Sequence, residues 1–312
     1  MKPIRFVPSG THIPFMKMRT LAYAFSGTLV AASLLIFAFM GLNYGIDFRG
    51  GTLIEIQTKE EVADVRALRD AMNALNLGEV EIQEFGAPNE VLIRVEAQPG
   101  GEEAQQVVIA KVKDALGDTV EYRRVEVVGP KVSGELVQTG TLAVLFSILA
   151  VLIYIWFRFE WQFAAGAIIA LVHDVMLTLG LFSLLQLEFG LSIIAAILTI
   201  VGYSLNDTVV VFDRVRENLR RYKKMPLVEL LDQSINQTLS RTVLTSGTTL
   251  IALLSLYIFG GEVIRGFTFA MIWGIFVGTY SSIFVASPLL LILGVKRDWS
   301  ANTGEGTATK TV

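Results

Sequence analysis

The sequence predicts a membrane all-α bundle of six transmembrane helices, with one external α+β domain of ferredoxin-like βαββαβ order between helices 1 and 2. Three observations carry this reading. Hydrophobic residues make up 53% of the 312 residues, and the mean hydropathy is +0.55, which belongs to a membrane protein. Apolar runs of about 18 residues or more, each long enough to cross hydrocarbon, occur six times. The segment 46–132, by contrast, shows short strand and amphipathic-helix patterns. The net charge of −3 implies no nucleic-acid face, because the basic residues gather at span ends. Cysteine is absent, which excludes disulfides and thiolate metal sites.

Taken in order, residues 1–20 form a cytoplasmic lead in which Pro3, Pro8 and Pro14 prevent a regular helix. Span one, 21–44, is too long for a signal-peptide core and lacks a small-residue cleavage site, so it is a retained anchor. Gly45–Thr52 follows, where Gly50 and Gly51 permit a tight turn straight into a strand. Asp47 and Arg49 read either as an interfacial charge pair at this domain joint or as direct participants in transport. The external domain then reads strand Thr52–Thr58, helix Glu60–Asn76, strands Val80–Phe85 and Val91–Val95, helix Glu102–Leu116 and strand Thr119–Val128. Val62, Val65, Leu68, Met72 and Leu75 fall on one face of the first helix. No acid–base or nucleophile cluster occurs there, so the domain is a mechanical or binding module.

Gly129–Leu136 returns the chain to spans at 136–157, 163–187 and 189–212. The loop 213–241 carries Leu227, Leu230, Leu231, Ile235 and Leu239 at helical spacing after Pro226, which predicts a short interfacial helix. Spans at 242–261 and 267–295 follow. The first is rich in Ser and Thr, and the second carries a small-residue stripe of Ala270, Gly274 and Gly278 for close packing. Residues 298–312 have the composition of a disordered tail. Lys and Arg precede span one, sit at Arg158, crowd 214–241 and follow span six at Lys296 and Arg297. By the positive-inside rule both termini are cytoplasmic and 46–132 lies outside.

The centre of the sequence is an acid in hydrocarbon. Asp207 lies about five residues from the cytoplasmic end of span four, roughly 8 Å deep at 1.5 Å per residue. A charge there costs roughly 2.5–3.5 kcal/mol on insertion scales, so it needs a partner and a task. Arg241, at the matching end of span five, is the candidate partner, and its movement toward or away from Asp207 would switch proton affinity. Asn206, Tyr203 and Thr245 are candidate supporting residues. The structural alternative is that span four ends near Leu205 and that Asn206 or Asp207 caps a following helix. It would leave Val209–Phe212 in water.

Asp174 is the second candidate, roughly 16 Å deep in span three. It is either a relay or a hydrogen-bonded tie to the Ser/Thr face of span five. His173 is a packing or hydrogen-bonding residue, and Asp213 is an interfacial acid balanced by Arg214 and Arg216. No Gly-x-Ser-x-Gly elbow, His-Glu-x-x-His pair or phosphate loop occurs, so no catalytic residue, metal or cofactor is assigned.

The motifs GIDFRGGT (45–52), VGPKVSGEL (128–136), ALVHDVMLTLG (170–180) and YSLNDTVVVFDRVREN (203–218) resemble the SecD/SecF family of bacterial protein-export membrane proteins, on its SecF side. The fourth-span motif also resembles proton-driven RND exporters, which commonly carry two adjacent acids where this chain has Asn206 and Asp207. The resemblance implies an inner-membrane accessory subunit of the Sec translocase that works with SecD, and through it with the SecYEG channel, YajC and the translocating preprotein. It also implies use of the proton motive force for late-stage export, with the family's membrane aspartate and arginine at Asp207 and Arg241. Half of an RND-type lipid or small-molecule exporter, and a passive translocon scaffold, are the competing readings.

Overall fold

The computed structural model describes residues 12–295. Most of the lead, Lys296, Arg297 and the 298–312 tail lie outside the described residues. Among the described residues, six helices are long and apolar enough to cross a membrane: Phe15–Met40, Lys131–Arg158, Trp161–Leu185, Leu191–Arg221, Leu227–Phe259 and Val263–Ile292. A 3-10 turn after Pro14 leads into α1 (Arg19–Met40). Asn236 clasps that turn, accepting the Ile13 N–H at 3.0 Å and donating to the Ile13 carbonyl at 2.9 Å.

Between the first two spans lie β1 (Asn43–Tyr44), α2 (Ile46–Arg49), β2 (Gly51–Thr58), α3 (Val65–Ala74), β3 (Val80–Glu84), β4 (Glu90–Val95), α4 (Gly101–Leu116) and β5 (Val120–Val128). The sheet is antiparallel with order β3-β4-β2-β5. Thr52–Ile56 is buried without alternation because the strand is covered on both faces. Ile54 and Ile56 pack with Met72, Val108 and Val112 on one face, while Leu53 packs with Leu92 and Ile46 on the other.

Two local expectations are corrected here. The first helix begins at Val65 rather than Glu60, because the Asp64 carboxylate accepts the Arg66 and Ala67 N–H groups at 3.0 Å and fixes the start. Val62 therefore stands outside the helix, 63% exposed. The chain also makes a short helix, α2, before it enters β2. The tight turn is confined to Gly50 and Gly51, at φ +72° and +116°. A side chain at Gly51 would overlap the Val95 carbonyl. Gly51→Ala is expected to destabilise the chain by about 2 kcal/mol or more, from the positive φ plus the overlap, and thermal unfolding in detergent measures it.

The remaining helices are α5 (Pro130–Arg158), α6 (Trp161–Leu185), α7 (Leu191–Arg221), α8 (Leu227–Phe259), α9 (Glu262–Ser281) and α10 (Ser287–Ile292). Helix α5 begins at Pro130, so the expected connector to Leu136 is already helical; a proline needs no N–H partner at the first helical position. The separate interfacial helix expected within 213–241 is likewise absent. Helix α7 continues to Arg221, and α8 runs unbroken from Leu227 through span five. Leu230, Leu231 and Ile235 are buried in the same apolar core as Phe163 and Phe212, so the first turns of α8 pack on the bundle core before the helix continues into span five.

Helices α6, α7 and α9 form the interior of the bundle. The stripe on α9 meets α7: a methyl group at Gly274 would overlap Ile200, and one at Gly278 would lie 2.9 Å from Ser204 Cβ. These glycines permit the close approach on which the polar interior depends. Helix α5 instead exposes Leu145, Phe146, Leu149 and Trp156, a surface suited to lipid or a partner helix. Between α9 and α10, Ser282–Ala286 forms one π-helical turn.

Candidate functional site

Helix α7 does not stop near Leu205. Val211 and Phe212 are 1% and 0% exposed within its continuing body, so Asp207 caps nothing and sits inside the bundle at 3% exposure. The Ser246 hydroxyl of α8 hydrogen-bonds the Asp207 side chain, and Arg241 exerts an attractive coulombic pull on it. Ser246 Oγ lies 2.8 Å from Thr279 Oγ1 of α9. Asp207 Oδ2 has no hydrogen-bond partner among the described residues. The expected pair is therefore close but not closed: Arg241 is exposed, and no Asp207–Arg241 ion pair within 4.0 Å forms among the described residues.

Asp174 on α6 is wholly buried and fully bonded. Its Oδ1 lies 2.9 Å from His173 Nδ1, and its Oδ2 accepts from Ser204 Oγ at 2.6 Å and Ser281 Oγ at 2.8 Å. The tie thus runs to spans four and six, and not to the Ser/Thr face of span five as expected. Much of that Ser/Thr face bonds its own helix: Thr245 and Thr248 donate to carbonyls three and four residues back. Ser204 lies one turn before Asp207, so the two acids line the same side of α7. His173 Nε2 is buried without a hydrogen-bond partner among the described residues, and its ring stacks on Tyr280 at 6.1 Å.

Of the supporting candidates, Asn206 is exposed, Tyr203 has a buried hydroxyl with no hydrogen-bond partner among the described residues, and Thr245 is half-buried. Sequence reading missed Ser204, Ser281 and Thr279, whereas Ser246 belongs to the Ser/Thr-rich face of span five, whose residues can hydrogen-bond across helices, and it does so to Thr279. Only Ser204 carried a signal, its one-turn spacing from Asp207. Asp213 is paired chiefly with Arg158, through two contacts of 2.6 Å. Arg216 stands at 3.7 Å, and Arg214 turns instead to Glu217.

At the other end of the bundle, Asp47 and Arg49 do not pair with each other. Asp47 Oδ2 accepts the Leu191 N–H at 2.8 Å, at the first turn of α7, while Arg49 bonds Glu81 at 2.9 Å. The reason is local: the N-terminal turn of α7 has unsatisfied N–H groups that attract a carboxylate. Next to it β1 pairs in parallel with β6 (Glu188–Phe189), a contact no sequence pattern announced. Arg94 of β4 reaches Asn43 at 3.1 Å, Glu81 at 2.7 Å and Glu188 at 3.7 Å.

Burial pushes the Glu188 carboxyl above its ordinary value, against the pull of Arg94 and Arg124 and with a further push from Asp47 and Glu126. The folded chain then holds more protons than the unfolded chain between the ordinary and the raised value. Stability contributed by protonated Glu188 is present below that window and is lost as pH rises through it. Glu188→Gln is expected to flatten this decline, read as thermal unfolding from about pH 4 to about pH 8.

The family description "Protein export membrane protein SecD/SecF, C-terminal" matches residues 107–296, and "SecD/SecF GG Motif" matches 35–62. The chain belongs to the SecD/SecF family. It is 48% identical over 288 residues to the protein translocase subunit SecF of Vibrio alginolyticus, covering 92% of this chain and 91% of that one. It is 50% identical over 304 residues to the SecF of Magnetococcus marinus, covering 95% and 97%. A single-chain protein translocase subunit SecDF of Brucella abortus is 45% identical over 94% of this chain, which spans 39% of that protein. The crystal structure of SecDF from Thermus thermophilus, described as translocon-associated, superposes with a TM-score of 0.83 at 38% identity. This chain covers 40% of it. Like its SecD/SecF relatives, the chain is a multi-pass membrane subunit of protein translocation, and the fused SecDF proteins mark SecD as its partner.

Proposed function

We propose that the chain couples the proton motive force to late-stage preprotein export, with Asp207 as the proton carrier and Arg241 as its switchable counter-charge. The observation that carries this reading is a carboxylate at 3% exposure, in reach of a guanidinium's field, with one oxygen unpartnered and no ion pair to that guanidinium among the described residues. Burying such a group costs several kcal/mol unless its charge is matched, about the same as one elementary charge gains crossing 100 mV, about 2.3 kcal/mol. Protonation removes the attraction to Arg241 and lets α7 and α8 shift against each other. The Thr279–Ser246 hydroxyl pair supplies a hydrogen-bonded approach to Asp207. Asp174 holds α6, α7 and α9 as one body through that shift.

In this reading the sheet domain is a ferredoxin-like module on the extracytoplasmic side, and both termini are cytoplasmic. The Asp47, Arg49, Gly50 and Gly51 joint passes motion from bundle to sheet. SecD supplies the pseudo-symmetric half, and the SecYEG channel, YajC and the moving preprotein complete the assembly. No cofactor beyond the proton gradient is required, and no hydrolytic step is assigned. The test is preprotein translocation into inverted inner-membrane vesicles with and without this chain. The chain's contribution is expected to vanish when an ionophore collapses the gradient. A contribution that survives the ionophore unchanged leaves only a scaffold.

A further inference from the structure

At the end of the bundle where α5 and α7 finish, an open pocket of about 610 Å³ is lined by Arg158, Asp213, Arg216, Glu217, Arg220 and Arg221. Four guanidiniums face two carboxylates, so the lining carries a positive excess. Two of the guanidiniums are held in place by a shared support. The Arg158 and Arg216 guanidinium carbons lie 4.9 and 5.7 Å from the centroid of the buried Phe159 ring, and both side chains contact Asp213. Phe159 in turn packs against Phe163 and Phe212 of the core. The cations therefore project from a rigid platform and not from flexible surface stems.

The rim has a second character. Trp156, Phe157 and Trp161, at the adjoining ends of α5 and α6, are 73%, 85% and 60% exposed. Exposed tryptophans at helix ends mark the polar–apolar boundary of a bilayer, which sets this pocket at headgroup depth. A guanidinium fork matches two oxygens of a phosphate, and an aromatic rim offers apolar contact to an acyl chain.

We propose that the Arg158–Arg216 pocket binds the phosphodiester headgroup of an anionic phospholipid, seated against the end of the helix that carries Asp207. Arg220 and Arg221 extend the basic wall along α7 beyond the first phosphate. The proposal rests on the membrane-spanning architecture and is independent of proton coupling.

The test is native mass spectrometry of the full purified chain titrated with dioleoylphosphatidylglycerol, with dioleoylphosphatidylcholine as the neutral-headgroup control of identical acyl chains. One tightly held phosphatidylglycerol is expected that phosphatidylcholine does not replace. Near a charged lipid surface each basic residue is worth about fivefold in affinity, so Arg158→Gln/Arg216→Gln should weaken binding about 30-fold. Arg220→Gln, at an exposed position that leaves the Phe159 platform intact, should weaken it about fivefold and decides the matter if the double variant fails to fold. Equal retention of the two lipids, or unchanged phosphatidylglycerol affinity in Arg220→Gln and in any folded double variant, overturns the proposal. Displacement of the lipid by inorganic phosphate would assign the pocket to a soluble anion and overturn it as well.

Discussion

Replacing Asp207 by Asn is expected to abolish the gradient-dependent part of preprotein translocation while the subunit still folds and assembles. The amide is nearly the same size as the carboxyl and retains one oxygen to accept the Ser246 hydroxyl, so packing around this buried site is preserved. What disappears is the carboxyl that takes up and releases the proton in the proposed coupling. One elementary charge moved through 100 mV supplies about 2.3 kcal/mol, an about 50-fold bias between two states, and that bias is lost. Translocation in vesicles energised by ATP and a proton gradient measures it. The variant should match wild type once an ionophore is added, and fall far below it without one. Undiminished gradient dependence in an assembled Asp207→Asn complex removes Asp207 from the mechanism.

Asp174→Ala is expected to cost about 2–4 kcal/mol of stability. It leaves the Ser204 and Ser281 hydroxyls and His173 Nδ1 without their shared acceptor. An unsatisfied buried donor costs about 1–3 kcal/mol in water-soluble proteins, but inter-helix hydrogen bonds in membranes average nearer 0.6. Three such losses plus a small cavity give the stated range, with the membrane figure taken as the floor. Thermal unfolding in detergent reads it. Asp174→Asn separates the two roles that remain open for this residue. A variant as stable as wild type but lacking gradient-dependent translocation marks a relay, whereas one that keeps activity marks a tie.

The elements legible in the sequence were those written in its periodicity. Long apolar runs located the spans, and the alternating patterns of 46–132 located the strands of the sheet within a residue or two. Helix ends were less legible, because Asp64 capping and Pro130 at a helix start are decided by single residues that the apolar pattern does not weight. Asp207 was legible because an acid among Val, Ile and Phe is physically anomalous. Its true surroundings were not, since which serine meets which acid depends on helix rotation. Ser204 and Ser281 look alike in sequence to many other serines here, and only the close approach at Gly278 brings them to Asp174. The parallel pairing of Asn43–Tyr44 with Glu188–Phe189 was invisible for the same reason: two residues make no pattern.

Asp47 grips the first turn of α7, and Asp207 lies sixteen residues further along that helix, about 24 Å away at 1.5 Å per residue. Helix α7 is unbroken over that length, so in the proposed coupling a twist beside Asp207 would be carried to Leu191. There it would act as torque, through Asp47, on the short segment that feeds β2. Under the proposed coupling the chain has the layout of a crankshaft, with the sheet joined at one end of the rod whose middle carries Asp207.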